Sequence, residues 1–165
     1  MIHFTTGNLL DSQAQALVNT VNTVGVMGKG IALQFKEAYP HNYSVYRKAC
    51  RDGTLTTGQV LVVADTDAFG SRTIVNFPTK QHWRAKSKYE YIETGLTALR
   101  DYLEVSEIES IAIPPLGCGN GGLEWDKIRT MIAQALTGLP VKIVVYEPSG
   151  KVEAGLFSTE TGWPI

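Results

Sequence analysis

The sequence predicts an α/β fold in which one sheet carries helices on both faces. Short β-prone runs alternate with helical periodicities along the chain, two strand-to-helix junctions are rich in glycine, and no repeat, low-complexity tract or linker interrupts the order. Its 165 residues are the size of one compact domain, and 44% hydrophobic residues against 19% charged supply a full core.

Ile2–Thr5 and Ala16–Asn19 read as strands on either side of a Gly7-Asn8 turn. Gly28–Tyr39 opens with glycines, carries Ile31, Ala32, Phe35, Ala38 and Tyr39 at helical spacing, and is stopped by Pro40. Asn42 is expected to cap a second helix through Ala49, which Gly53 ends. Gln59–Ala64 and Thr73–Asn76 read as strands. Ser87 and Glu90 have capping-box spacing, and Ile92, Leu96, Leu99 and Leu103 form one apolar stripe, so a long amphipathic helix is expected there. Ser110–Ile113 is a buried-type strand ending in Pro114-Pro115, followed by a glycine loop, a helix over 124–136 and a last strand at Val141–Tyr146. The domain is therefore expected to occupy residues 1–150, with 151–165 a C-terminal tail or the start of a linker.

No apolar run approaches the roughly 18 residues that span a bilayer, and Met1 leads straight into Ile2-His3-Phe4-Thr5 without the basic and apolar stretches of a signal peptide. A membrane partner is not expected. Cys50 and Cys118 lack Cys-x-x-Cys spacing, and His3, His41 and His82 are scattered, so neither a disulfide framework nor a metal site is expected and the thiols fit a reducing cytoplasm. No cofactor is expected either. Net charge is −1, yet residues 1–92 carry ten Lys/Arg against six Asp/Glu and the remainder five against ten. Lys80, His82, Arg84, Lys86 and Lys88 fall within nine residues, a local basic surface that the whole-chain sum conceals.

In open α/β sheets ligands sit at the carboxyl ends of the strands, so the glycine loops hold the chemistry. The first, from Asn19-Thr20-Val21-Asn22-Thr23 through Val26-Met27-Gly28-Lys29-Gly30, is either a phosphate cradle at a helix N-terminus or a turn needing positive φ. It has neither the Walker spacing nor the dinucleotide fingerprint. The second, Pro114-Pro115-Leu116-Gly117-Cys118-Gly119-Asn120-Gly121-Gly122-Leu123, has four glycines in six residues. Each costs roughly 0.5–1 kcal/mol relative to alanine, which favours a diphosphate held between the loops over a simple turn. Cys118 has no His or Asp near it in sequence to activate it, Trp125 with Ile128 and Ile132 reads as a helix core face, and Glu124 and Asp126 complement a helix dipole.

Gly7-Asn8-Leu9-Leu10, the run from Asn19 to Gly30 and the Pro-Pro-Leu-Gly-Cys-Gly-Asn-Gly-Gly-Leu loop together resemble the macrodomain family of ADP-ribose-binding modules. Val18–Phe35 and Asn76-Phe77-Pro78-Thr79-Lys80-x-His82-Trp83-Arg84 resemble its DarG branch, the DNA ADP-ribosyl glycohydrolases that are antitoxins of DarT toxins. The resemblance implies a three-layer α/β/α sandwich with a mixed, mostly parallel sheet of about six strands. It implies that ADP-ribose is removed from thymidine in single-stranded DNA, and that a cognate DarT-type toxin is engaged through a C-terminal domain this chain stops short of. A catalytic fragment or a stand-alone homologue is expected.

Carried over by position, Gly7, Asn8 and Leu9 face the adenine end, and Asn22 the distal ribose. The backbones of 26–28 and 117–123 face the diphosphate, with Asn19, Thr20, Val21, Thr23, Lys29, Gly30, Thr79, Pro115 and Leu116 completing the site and Lys80 and Asn22 catalytic. The vertebrate glycohydrolase of this branch pairs the lysine with an acid in the second loop, where this chain has Gly121, so the acid is unassigned.

The residue types support a lysine separately. Lys80 follows a strand and the rigid Phe77-Pro78 step, and the cations after it favour a neutral, nucleophilic amine. Such an amine attacks an anomeric carbon or an opened aldehyde; a solvated surface lysine is the plain alternative. His82, Trp83, Arg84, Lys86 and Lys88 are expected to meet DNA, cations on phosphates and the indole on a base, or else to form a solvated loop. Two other functions fit the same loops: a non-catalytic ADP-ribose reader, and a phosphatase acting on terminally phosphorylated ADP-ribose.

Overall fold

The central strands are buried on both faces, and their alternating side chains feed two separate layers. In the computed structural model, which describes residues 1–28 and 30–148, the strands are β1 (Ile2–Thr5), β2 (Ala16–Asn22), β3 (Leu61–Asp67), β4 (Gly70–Lys80), β5 (Ser110–Ile113) and β6 (Lys142–Tyr146). They form one sheet in the order β1-β6-β5-β2-β4-β3. Every pairing is parallel except the antiparallel hairpin of β3 with β4. The helices are α1 (Gly30–Ala38), α2 (Pro40–Arg51), α3 (Tyr89–Val105) and α4 (Trp125–Leu136).

Ala16, Val18, Ile111, Ile113, Ile143 and Val145 point to one face, where Ile92, Leu96, Leu99 and Leu103 of α3 and Ile128, Ile132 and Leu136 of α4 cover them. The alternate residues Leu17, Ala112, Val144 and Tyr146 point to the other, against Phe35 and Tyr39 at α1. Each fully buried Leu or Ile contributes about 1.5–3 kcal/mol. The chain is thus a three-layer α/β/α sandwich with a mixed, mostly parallel six-stranded sheet. Gly95 lets α3 press onto β4: a β-carbon there would lie 2.7 Å from Phe77 Cε1.

Several element boundaries differ from those the sequence predicts. β2 continues to Asn22 and β4 runs from Gly70 through Pro78 to Lys80. A proline is tolerated in β4 because pairing with β3 ends at Leu61–Asn76, leaving that side of the strand without a ladder to feed. α1 begins at Gly30 rather than Gly28, and Pro40, expected only to stop it, is the first residue of α2, where no N–H is needed. Asn42 does not cap α2. It is buried inside the first turn, its N–H donates to Asp65 Oδ2 at 2.8 Å, and its amide pairs with that of Asn76 at 2.8 and 3.1 Å, so β3 supplies the acceptor for the helix end. The capping box at α3 is also absent: Lys88 is the N-cap and makes no side-chain cap bond, because Ser87 is drawn to the second glycine loop.

Arg72, buried near the start of β4, donates from Nη1 to the Ser12 carbonyl at 3.0 Å and sits 2.9 Å from Asp67 Oδ2. Residues 149–165, which include the expected tail, lie outside the described residues. Among the described residues, no helix is long and apolar enough to cross a membrane, and no three His, Cys, Asp or Glu gather as a metal set.

Candidate functional site

β5 and β4 flank β2 on opposite sides, and the helices that follow β2 and β4 cover opposite faces, so a crevice opens at the carboxyl ends of these strands. A cavity of about 500 Å³ occupies it, bounded by Thr20–Asn22 of β2, Thr79 and Lys80 of β4, and both glycine loops. A second recess of about 380 Å³ shares Thr20, Ile31, Pro115 and Cys118 with the first and runs out past Asn8, Gln34 and Tyr146. Together they make one elongated cleft with two distinct ends.

Asn22 holds the first loop. Its Oδ1 accepts the N–H groups of Val24, Gly25 and Val26 at 3.1, 3.1 and 3.3 Å, while Nδ2 donates to the Val26 carbonyl at 2.9 Å. Three backbone donors on one oxygen fix which end of the amide is which. The Tyr46 hydroxyl reaches the same group, 2.7 Å from the Asn22 carbonyl and 3.0 Å from Oδ1. Burial, with the neighbouring Cys50, pushes the Tyr46 phenol far above its ordinary range, and burial raises the Cys50 thiol too, so both stay protonated at neutral pH. The backbone left facing the cleft is Gly28 and Gly30 at the start of α1.

The second loop is a set of tight turns. Cys118 N–H donates to the Pro115 carbonyl, Gly122 N–H to Gly119, and Leu123 N–H to Gly117, at 3.1, 3.0 and 3.0 Å. Gly117 has φ +75°, and a β-carbon on it would lie 2.6 Å from Leu123 Cδ1, so only glycine fits. Gly121 is closed for a different reason. A β-carbon there would overlap Ser87 Oγ and lie 3.0 Å from Ser87 Cβ, and the Ser87 N–H donates to the Gly121 carbonyl at 3.0 Å. The buried Ser87 hydroxyl itself has no hydrogen-bond partner among the described residues.

Lys80 ends β4 in register with Asn22, one step past an irregularity that follows Val21–Pro78. Its half-buried side chain enters the cavity, with Nζ 3.4 Å from the Trp83 carbonyl. Trp83 is 43% exposed, stacks on His82 with centroids 5.4 Å apart, and carries the Arg84 guanidinium 4.5 Å above its ring.

A model of the macro domain family matches residues 18–132. The chain belongs to the macro domain family. A Mycobacterium tuberculosis protein named DNA ADP-ribosyl glycohydrolase is 50% identical over 151 residues, 91% of this chain and 43% of that protein. The chain thus spans less than half the length of such curated relatives. The solved macrodomain of Mycobacterium tuberculosis DarG matches at 50% identity and a TM-score of 0.86, covering 90% of this chain and 99% of that one. Thermosipho africanus DarTG in complex with ADP-ribose matches at 34% identity and a TM-score of 0.84, covering 89% and 41%. Within the family the similarity is to the DarG type.

This macrodomain brings Thr20, Val21, Asn22, Val26, Gly28, Gly30, Thr79, Lys80, Pro115, Gly117, Cys118, Asn120 and Gly121 to the main cavity, and Gly7, Asn8 and Leu9 to the second recess. The remaining expected ADP-ribose contacts among the described residues are not in that wall. Asn19 is buried in β2, with Nδ2 3.8 Å from Met27 Sδ, and Met27 packs against Val21, Tyr46 and Leu55. Leu116 is core, Leu123 covers Gly117, and Gly119 and Gly122 face outward. Thr23 donates to the Gln81 carbonyl at 3.0 Å, tying the first loop to the segment after β4. Lys29 lies outside the described residues. Of the basic segment, Trp83 lines the cavity, Lys86 lies beside Gly122, and Lys88 Nζ sits 5.6 Å from the Tyr91 ring centroid. Sequence reasoning missed Ser87, Gln34 and Tyr146; only the hydrogen bond of Asn8 Nδ2 to Gln34 Oε1, 3.4 Å, distinguishes Gln34, and nothing in the chain order announces it.

Proposed function

We propose that this macrodomain binds ADP-ribose along the cleft and hydrolyses the glycosidic bond joining it to thymidine in single-stranded DNA, as the antitoxin to a DarT-type toxin in the cytoplasm. The observation that carries this is the Lys80 side chain in the cavity wall, in register with Asn22 and beside the two glycine loops. The names of the relatives support the substrate, and the ADP-ribose complex of a 34% identical protein supports the ligand.

The adenine end occupies the recess at Asn8, and the diphosphate lies against Gly28, the start of α1 and the 117–121 backbone, where N–H groups and the helix dipole favour an anion. The distal ribose then falls at Lys80. The unprotonated amine either attacks the anomeric carbon, expelling the base, or takes a proton from the attacking water; in both routes water finally supplies the oxygen to that carbon and a proton to the departing base. Toxin binding belongs to a part of the longer relatives that this chain does not span.

Gly121 supports a second reading, an ADP-ribose reader without turnover, because the second loop supplies no acid and Ser87 fills the space an acid would need. Incubation with ADP-ribosylated single-stranded DNA separates the two. Release of free ADP-ribose, with recovery of unmodified strand, supports hydrolysis; tight binding without release supports the reader.

A further inference from the structure

The ion pairs of the described residues use Lys48, Arg51, Arg72, Arg100, Lys127 and Arg129 as their cations. Around the mouth of the cleft, Lys36, Arg47 and Arg84 have no carboxylate within ion-pair distance among the described residues. Lys36 and Arg47 line a third recess of about 340 Å³ together with Tyr43, behind the rim of the first loop. Val26 and Gly28 line both this recess and the main cavity, so they form the partition between the two. On that rim Val24 and Val26 are 46% and 41% exposed, two apolar side chains close in sequence that belong to none of the core clusters. Lys36 Nζ lies 4.9 Å from the Tyr43 ring centroid, a pairing of cation and aromatic that mirrors Arg84 over Trp83 on the far side of the cavity. The Thr23–Gln81 hydrogen bond ties the rim to the segment that carries Trp83 and Arg84.

We propose that Lys36, Tyr43 and Arg47 form a second arm of a single-stranded DNA surface, and that the strand crosses the Val24–Val26 rim between this arm and Trp83–Arg84 while its modified nucleotide enters the cavity. Charge complementarity selects the partner: cations without a carboxylate partner suit backbone phosphates, and in each arm one of them is held against an aromatic ring, Lys36 at Tyr43 and Arg84 at Trp83. The apolar rim between them suits the bases of the crossing nucleotides better than it suits water. The stem of Arg47 lies along the first loop, its Cγ 3.6 Å from where a β-carbon on Gly25 would sit, and the residue lines the third recess beside Lys36. Both arms fall in the half of the chain with the basic excess. This inference rests on the proposed hydrolysis of modified DNA.

Lys36→Glu combined with Arg47→Glu tests it. On a long ADP-ribosylated oligonucleotide the double variant is expected to raise KM about five- to tenfold at low salt with kcat within twofold of the parent. The salt dependence of KM should become shallower, by about 0.7 in log–log slope for each phosphate no longer neutralised. Affinity for free ADP-ribose, and turnover of a modified dinucleotide too short to reach the third recess, should not change. Turnover by the parent protein with an unaltered KM in the variant overturns the second arm alone. An equal loss for free ADP-ribose also overturns it, by showing that the substitutions act through the first loop. No turnover by the parent protein overturns the hydrolytic reading and the second arm with it.

Discussion

Asn22 and Lys80 stand in register at the parallel ends of β2 and β4, one step beyond a bulge that leaves Thr79 as the extra residue of β4. Side chains alternate along a strand, so the extra residue changes which way Lys80 faces. Without it Asn22 would pair with Thr79. The bulge thereby sets the residue that organises the first loop beside the amine of the cavity wall.

The Asn22 side chain is expected to act chiefly through the loop. Asn22→Ala removes the shared acceptor of three backbone N–H groups and a partner of Tyr46. A loss of about 2–3 kcal/mol in folding stability, measured by urea unfolding, should accompany weaker ADP-ribose binding. Asn22→Asp keeps the acceptor but loses the donation to Val26, so it should recover part of the stability. Full stability in the alanine variant would show that the loop holds its shape without this side chain.

Gly121 is fixed by Ser87 and not by backbone conformation. Gly121→Ala is expected to lose about 1–3 kcal/mol through overpacking against the Ser87 side chain. Ser87→Gly in the same chain should restore part of that loss, a non-additive coupling read from a double-mutant cycle of thermal or urea midpoints. Strict additivity would mean the two residues do not meet. Ser87→Ala alone should not destabilise, because the hydroxyl it removes is buried without a partner among the described residues.

The Tyr39–Asp67–Arg72 cluster gives stability a defined pH dependence. Desolvation opposes ionisation of Asp67, but the Phe69 N–H, the Tyr39 hydroxyl and Arg72 outweigh it and hold the carboxyl below its ordinary value. Its contribution is therefore present above about pH 4, the unfolded value, and lost as pH falls through the lower folded value. Tyr39 has the opposite sign: burial, then the hydrogen bond to Asp67, raises it to about 12. That contribution is complete below about pH 10 and lost as pH rises toward 12. Asp67→Asn should cost about 2 kcal/mol at neutral pH, between the values for exposed and buried pairs, and should flatten the acid limb of a stability-against-pH curve. An unchanged acid limb would place the titrating groups elsewhere.

Much of the architecture is legible in the chain because burial writes it there. The stripe of Ile92, Leu96, Leu99 and Leu103 is a helix face, and Ser110–Ile113 a buried strand, in sequence and structure alike. The glycine loops are legible because backbone needing positive φ or close approach leaves few other residue choices, as at Gly117. Capping signals mislead where tertiary partners compete for them: Asn42 pairs with Asn76, and Ser87 turns to Gly121. The length of β4 through Pro78 depends on where β3 stops, which no local window contains. Ser87, Gln34 and Tyr146 come to the cleft from three distant segments, so only the folded chain brings them to one site.

Whether Lys80 performs the chemistry is decided most directly by the rate of ADP-ribose release from modified single-stranded DNA by the Lys80→Arg variant, with ADP-ribose affinity measured beside it. A guanidinium keeps the charge but does not lose its proton at working pH, so it serves as neither nucleophile nor base. The expected result is a fall in kcat of about 10²-fold or more with affinity nearly unchanged. Release at the parent rate by the arginine variant would contradict amine chemistry at Lys80 and reduce its role to charge.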